Sequence, residues 1–214
     1  MKARSIWAIA LVVALNVSSA QAVDTAKSVL DSMQVKGRAP KTGYDRDQFG
    51  QRWADTNRNG CDTRNDILKR DLSNVVFKAG TRNCVVVSGD LIDPYSGRTI
   101  NFVRGNVSSM EVQIDHVVAL SNAWQTGAFK LSLAVRTQFA NDPLNLLAVQ
   151  GRLNSQKGDG DAATWLPPSK SFRCNYVARQ ITVKAKYGLW VTPPEKAAME
   201  SILAKCPGQE IITS

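Results

Sequence analysis

The chain has one histidine, His116, and Asp115 stands directly before it in EVQIDHVVAL (111–120). An imidazole titrates near neutrality, so it can take a proton from water at ordinary pH. A carboxylate beside it offers the hard oxygen that Mg2+ prefers. Further on, NLLAV (145–149) opens with Asn145, and NSQKGD (154–159) carries Asn154 and Lys157. The last two are three apart, a spacing that puts both on one face of a helix. A base, a carboxylate, an amide oxygen and a cation are the parts that phosphodiester hydrolysis needs: an activated water, charge neutralisation and help for the leaving oxygen.

One geometric condition attaches to this set. Neighbouring residues of a regular strand point to opposite faces. Asp115 and His116 serve one phosphate only where the backbone is irregular or where the site lies at the strand's edge; an irregularity is the expectation here. A lone Asp-His pair is often a structural hydrogen bond, and the downstream residues are what argue against that reading.

Several elements must position these residues. DTAKSVLDSMQV (24–35) reads as a short helix with Asp24 as its cap, and KGRAPKTGYDRDQFG as a Gly- and Pro-rich linker. NRNGCDTRNDILKRDL (57–72) opens with turn chemistry and then shows helical spacing at Ile67, Leu68 and Leu72. CVVVSGDLIDPYSGRTINF (84–102) reads as a hairpin turning at DPYSG, where Asp90 and Asp93 suit local hydrogen bonding. The histidine strand spans 112–120, and a helix capped by Ser121 follows it. A helical run at 131–140, a turn at NDP, the strand 145–149 and a short helix stopped by Gly158 come next. Two further helices close the chain, the second starting at Pro193 and Pro194. Trp165 of WLPP suits packing.

Residues 1–22 have the form of a secretory signal: Lys2 and Arg4, a short apolar run, then Ala20-Gln21-Ala22 as a cleavage pattern. The apolar run is shorter than the roughly 20 residues that cross a bilayer, and no membrane partner is expected. The expected organisation is a signal at 1–22, an N-terminal helix and linker at 23–50, and one catalytic domain at 51–214. Without Lys2 and Arg4 the net charge falls from +9 to +7, a basic surface that attracts polyanions. Cys61, Cys84, Cys174 and Cys206 are an even set in an exported chain, which favours two disulfides. Three pairings exist; Cys61–Cys84 and Cys174–Cys206 each join neighbouring segments on one side of the histidine region. No CxxC pair and no second histidine supports zinc.

IDHVVAL (114–120), NDPLNLLAV (141–149) and NSQKGD (154–159) together resemble the HNH endonucleases, whose ββα-metal core sets two strands and a helix around one divalent cation. NGCDTRNDILKRDL, GDLIDPYSGRTI and DAATWLPP are similar to a secreted bacterial branch related to the C-terminal domain of GmrSD-type restriction enzymes. The resemblance covers about residues 50–206. It implies an α+β fold: a ββα-metal core with additional helices and a β-hairpin, stapled by disulfides. It further implies His116 as general base, Asp115 and Asn154 as ligands of one Mg2+ (or Mn2+), and Asn145 as the residue that orients the base's strand. Arg64, Arg152 and Lys157 are the candidates for contact with the nucleic-acid backbone. The implied activity is cleavage of DNA, or of RNA as well, largely without sequence preference, leaving a 5′-phosphate and a 3′-hydroxyl. The alternative is a secreted polyanion-binding protein that keeps the fold without the activity. Oligomeric state is not legible in the sequence.

Overall fold

The computed structural model describes residues 24–105 and 110–213. The signal expected at 1–22 lies outside the described residues. The architecture is mixed α/β, with two small sheets, seven α-helices among the described residues and two disulfides.

The element that matters most is a two-stranded antiparallel sheet. Strand β4 (Val112–His116) pairs with β5 (Leu146–Gln150), and helix α5 (Gly151–Lys157) follows β5 without a break. The register runs evenly from Val112 opposite Gln150 to His116 opposite Leu146, with no bulge. The irregularity expected at Asp115–His116 is therefore absent. His116 is instead the last residue of its strand, so the site lies at a strand end, the other arrangement that the geometry allows. Gly158, at φ +50°, stops α5 where glycine was expected to stop it.

The second sheet has three strands in the order β1 (Leu72–Phe77), β2 (Val86–Ile92), β3 (Thr99–Val103), all antiparallel. The β2–β3 hairpin is the one read from the sequence, but β1 is an addition. Leu72 continues the helical spacing of the preceding residues, yet the chain leaves helix α2 (Thr63–Asp71) there and becomes extended. Helix α2 then clamps the β4–β5 sheet. Arg70 donates to the carbonyls of Pro143 (2.8 Å) and Leu146 (2.7 Å), and Asp71 accepts from the N–H of Ala148 at 2.8 Å.

The remaining helices form the back of the molecule. They are α1 (Ala26–Ser32), α3 (Leu120–Gln125), α4 (Leu133–Ala140), α6 (Arg173–Lys186) and α7 (Pro193–Leu203). Thr25, not Asp24, caps α1, accepting from the Ser28 N–H. Ser121 does not cap α3 but lies inside it, buried. Helix α7 begins at Pro193 behind a capping box between Thr192 and Glu195. Its Glu195 meets Lys184 of α6 at 2.8 Å in the interior. Cys174–Cys206 ties the start of α6 to the chain just after α7, and Cys61–Cys84 ties the loop before α2 to the start of β2. Helix α6 also holds the ends of the β4–β5 sheet, because Gln180 donates to the Val117 carbonyl (3.0 Å) and Arg179 to that of Leu144 (2.9 Å).

Residues 36–50 are not a spacer. Phe49 is fully buried against Trp124 and Phe139, the Ala39 N–H donates to the Gln125 carbonyl, and the Trp124 indole donates to the Thr42 carbonyl. Its glycines and Pro40 shape a segment that the core then fixes by aromatic packing.

Candidate active site

A surface cavity opens at the end of β4, and Asp115, His116 and Asn154 all line it. Tyr44, Arg46 and Asp159 complete its polar wall. Two strands and one helix thus bring together three residues that the sequence separates by up to 39 positions.

His116 is half-buried, and its Nε2 lies 2.9 Å from the Ala140 carbonyl. A carbonyl can only accept, so Nε2 carries the proton and Nδ1 keeps a free lone pair. Burial, then the nearby Arg46 guanidinium, pushes the imidazole down from 6.5 to about 3, with the Ala140 bond opposing. The ring is therefore neutral at physiological pH, and the same shift makes it a weaker base than a free imidazole. The Trp53 ring lies nearly parallel to it, 15° between planes and 6.3 Å between centroids.

Asp115 is buried, at 4 % exposure. Its Oδ1 is 3.0 Å from the Lys157 ammonium, and its Oδ2 accepts from the Tyr95 hydroxyl at 2.5 Å. Burial raises the carboxyl's pKa, and Lys157 and Tyr95 oppose that rise. Tyr95 is itself fully buried among Trp165, Phe172 and Tyr176. Burial and the Asp115 charge hold its phenol well above its ordinary value, so it remains a donor. The turn that delivers it is fixed by Asp93, which accepts from the N–H groups of Tyr95, Ser96 and Gln150. Trp165 packs, as expected.

Lys157 stands elsewhere than expected. It was a candidate for backbone contact on a helix face, but its side chain is fully buried and its ammonium bonds Asp115 and the His116 carbonyl at 2.8 Å. The three-residue spacing does place it on the Asn154 face of α5, and that face is turned inward. Arg152 is exposed on α5 and does not line the cavity; two residues from Asn154, it points away from the Asn154 face. Arg64 is half-buried in the first turn of α2, also outside the cavity lining, and burial and Arg104 lower its pKa.

Asn145 is fully buried and orients the sheet end. Its Oδ1 accepts from the Val118 N–H at 2.8 Å, its Nδ2 donates to the Val118 carbonyl at 3.3 Å, and its own carbonyl accepts from the Val117 N–H at 2.8 Å. It touches the chain just beyond the histidine and does not line the cavity. It is a positioning residue.

Asn154 donates through Nδ2 to Gln113 at 2.8 Å, and among the described residues its amide oxygen has no protein donor. No group of three or more His, Cys, Asp or Glu able to hold a metal is present among the described residues. The cavity's donor set is instead one carboxylate and one free amide oxygen, hard ligands that fit Mg2+ when water and phosphate oxygens fill the other positions.

Similarity to known proteins sets the family of the chain. Residues 62–202, about two thirds of the chain, match the family described as GmrSD restriction endonucleases, C-terminal domain. The chain belongs to that family. The match takes in α2, both sheets, α5 and most of α7, so it includes every lining residue of the cavity except Tyr44 and Arg46. A relative from the fungus Arthroderma benhamiae, described as an uncharacterized secreted protein, is 40% identical over 184 residues, covering 85% of each chain. The GmrSD C-terminal family therefore has a secreted fungal relative, wider than the bacterial branch expected. No solved structure matches the chain.

Sequence reasoning missed Arg46, Trp53 and Tyr95. Arg46 has no hydrogen-bond or ion-pair partner among the described residues, although burial lowers its pKa. A guanidinium without a partner, in a cavity beside a base, is ready for an anionic ligand.

Proposed function

We propose that the protein is a secreted, metal-dependent endonuclease of HNH type that hydrolyses phosphodiester bonds in DNA, and in RNA where the strand reaches the cavity. The observation that carries this reading is the cavity at the end of β4, which His116, Asp115 and Asn154 line together, with His116 Nδ1 left without a protein partner among the described residues.

His116 Nδ1 takes the proton from the attacking water, and the Ala140 carbonyl keeps the opposite ring edge fixed during that transfer. Asp115 and Asn154 would hold the cation, which when bound supplies charge for the phosphoryl oxygens and the leaving alkoxide. Lys157 bonds Asp115 Oδ1 and Tyr95 bonds Oδ2, so the carboxylate's orientation does not depend on the ligand, and a cation would meet each oxygen through its remaining lone pairs. Arg46 binds a phosphate oxygen from the cavity wall. The net charge, +7 without Lys2 and Arg4, draws the polyanion in, so binding is salt-dependent and largely insensitive to base sequence.

Plasmid digestion with Mg2+ and with EDTA tests this, alongside turnover of bis-p-nitrophenyl phosphate. Nicking that EDTA abolishes, with duplex DNA strongly preferred over the small ester, is the expected result. DNA retardation without nicking in any metal would favour the polyanion binder.

A further inference from the structure

The loop leading into α2 holds a second set of oxygen ligands, away from the cavity. From Asp55 to Asp66 the sequence reads DTNRNGCDTRND. Aspartate stands at the first position, asparagine at the third and fifth, glycine at the sixth and aspartate at the twelfth. This is the ligand spacing of a twelve-residue calcium loop of the EF-hand type, in which the seventh residue adds its backbone carbonyl and the sixth turns the chain. The eighth position departs from the usual apolar residue: it is Asp62, which caps α2.

The folded loop puts these residues together. Gly60 has φ +88° and open space around it. Asn57 Nδ2 and Asn59 Nδ2 lie 3.2 and 3.0 Å from the Asp66 carboxylate. Asp55 accepts from the N–H groups of Asn59 (3.1 Å) and Gly60 (2.8 Å). Asn57 Oδ1 accepts from the Asn59 N–H (3.1 Å) and Asn59 Oδ1 from the Cys61 N–H (2.8 Å), so each amide oxygen is held in the loop with a second lone pair left for a cation. Helix α2 follows as the exiting helix.

The carboxylates of the loop suit a cation. The chain carries a net charge of +9, yet among the described residues neither Asp55 nor Asp66 forms an ion pair. Both carboxylates meet amide donors only. No histidine is available and Cys61 is locked in a disulfide, so the donors are all oxygen, which excludes a zinc-type site and suits Ca2+.

We infer that residues 55–66 bind one Ca2+ through the side chains of Asp55, Asn57, Asn59 and Asp66 and the carbonyl of Cys61. With only two carboxylates, and an aspartate where a longer glutamate usually closes the loop, affinity falls in the extracellular range, Kd about 10⁻⁴–10⁻³ M. The site is tied to the cavity through Trp53. The Thr63 N–H donates to the Trp53 carbonyl at 3.3 Å, the Thr63 hydroxyl donates to the Ala54 carbonyl, and the Trp53 ring stacks over His116. A cation that fixes the loop also fixes the ring covering the proposed base.

The test needs no nuclease assay, so it is independent of the proposed function. The full folded protein is titrated with Tb3+, tryptophan is excited, terbium emission is followed, and Ca2+ is added as competitor; thermal melts with and without Ca2+ run in parallel. Wild type and Asn154→Ala are expected to bind Ca2+ in this loop with the same Kd, while Asp66→Asn and Asn57→Ala bind at least tenfold more weakly yet melt like wild type in EDTA. Full-strength Ca2+ binding by both loop variants overturns the inference. So does loss of loop binding in Asn154→Ala alone, or no binding by wild type at about ten times the upper end of that Kd range.

Discussion

The ammonium of Lys157 lies 3.0 Å from Asp115 Oδ1, with the two side chains 0% and 5% exposed. A salt bridge so deep is held less for stability than for geometry, since desolvation consumes most of the attraction. Here it fixes the carboxylate that faces the cavity, and the same ammonium bonds the His116 carbonyl.

Removing one member of that pair leaves the other buried and unpaired. Lys157→Met is expected to lower unfolding stability by about 3–5 kcal/mol. The double variant Lys157→Met/Asp115→Asn is expected to recover part of that loss. Urea unfolding of the singles and the double gives the coupling; an additive double would contradict a paired role.

His116 gives stability a pH dependence. Its folded value of about 3 lies below its ordinary 6.5, so between these two the unfolded chain binds the proton and the native chain does not. Its contribution is fully present above about pH 6.5 and is lost as pH falls toward about 3. Unfolding free energy measured from pH 7 to pH 4 should fall more steeply for wild type than for His116→Gln. Parallel curves would refute the buried neutral ring.

Asn145 has no cavity contact, yet it pins Val118 by two hydrogen bonds. Asn145→Ala leaves a buried N–H and a buried carbonyl unsatisfied, at about 1–3 kcal/mol each. Cleavage by the folded fraction should drop while DNA affinity is retained, because the base loses its place and the binding surface does not. Filter binding and a nicking assay on the same preparation separate the two.

Gly151 starts α5 beneath Met110. A Cβ there would lie 1.9 Å from the Met110 carbonyl oxygen, a backbone atom with no flexible end to yield. Gly151→Ala must therefore shift α5 and carry Asn154 with it. Activity should fall and more Mg2+ be needed for half-maximal cleavage; an unchanged Mg2+ profile would argue against Asn154 as a ligand.

Arg46 tests the cavity wall. Arg46→Ala is expected to raise KM for duplex DNA and flatten the salt dependence by about one phosphate contact, a slope change near 0.9. A lowered kcat with unchanged KM and salt slope would move it from binding to another role.

What was readable in the sequence was what is local. Asp115 with His116, and Asn154 with Lys157, sit in short segments whose periodicity gives a strand and a helix, and the structure pairs and abuts those segments. Arg46, Trp53 and Tyr95 come from distant loops, and only aromatic burial around Phe49 and the Asp93-fixed turn bring them in. Lys157 was legible as sharing the Asn154 face, but not as buried, because a lysine on a short polar helix looks solvated until its carboxylate partner is known. The expected backbone irregularity failed for a simple reason: β4 ends at His116, and a side chain at a strand end needs no bulge to share a cavity with its neighbour.

The central claim is that His116 accepts the water's proton. Single-turnover cleavage of duplex DNA in saturating Mg2+ by wild type and His116→Ala, with binding measured on the same samples, tests it most directly. The account expects unchanged affinity and a rate about 10²–10⁴-fold lower in the variant. A variant that cleaves within a fewfold of wild type would contradict it.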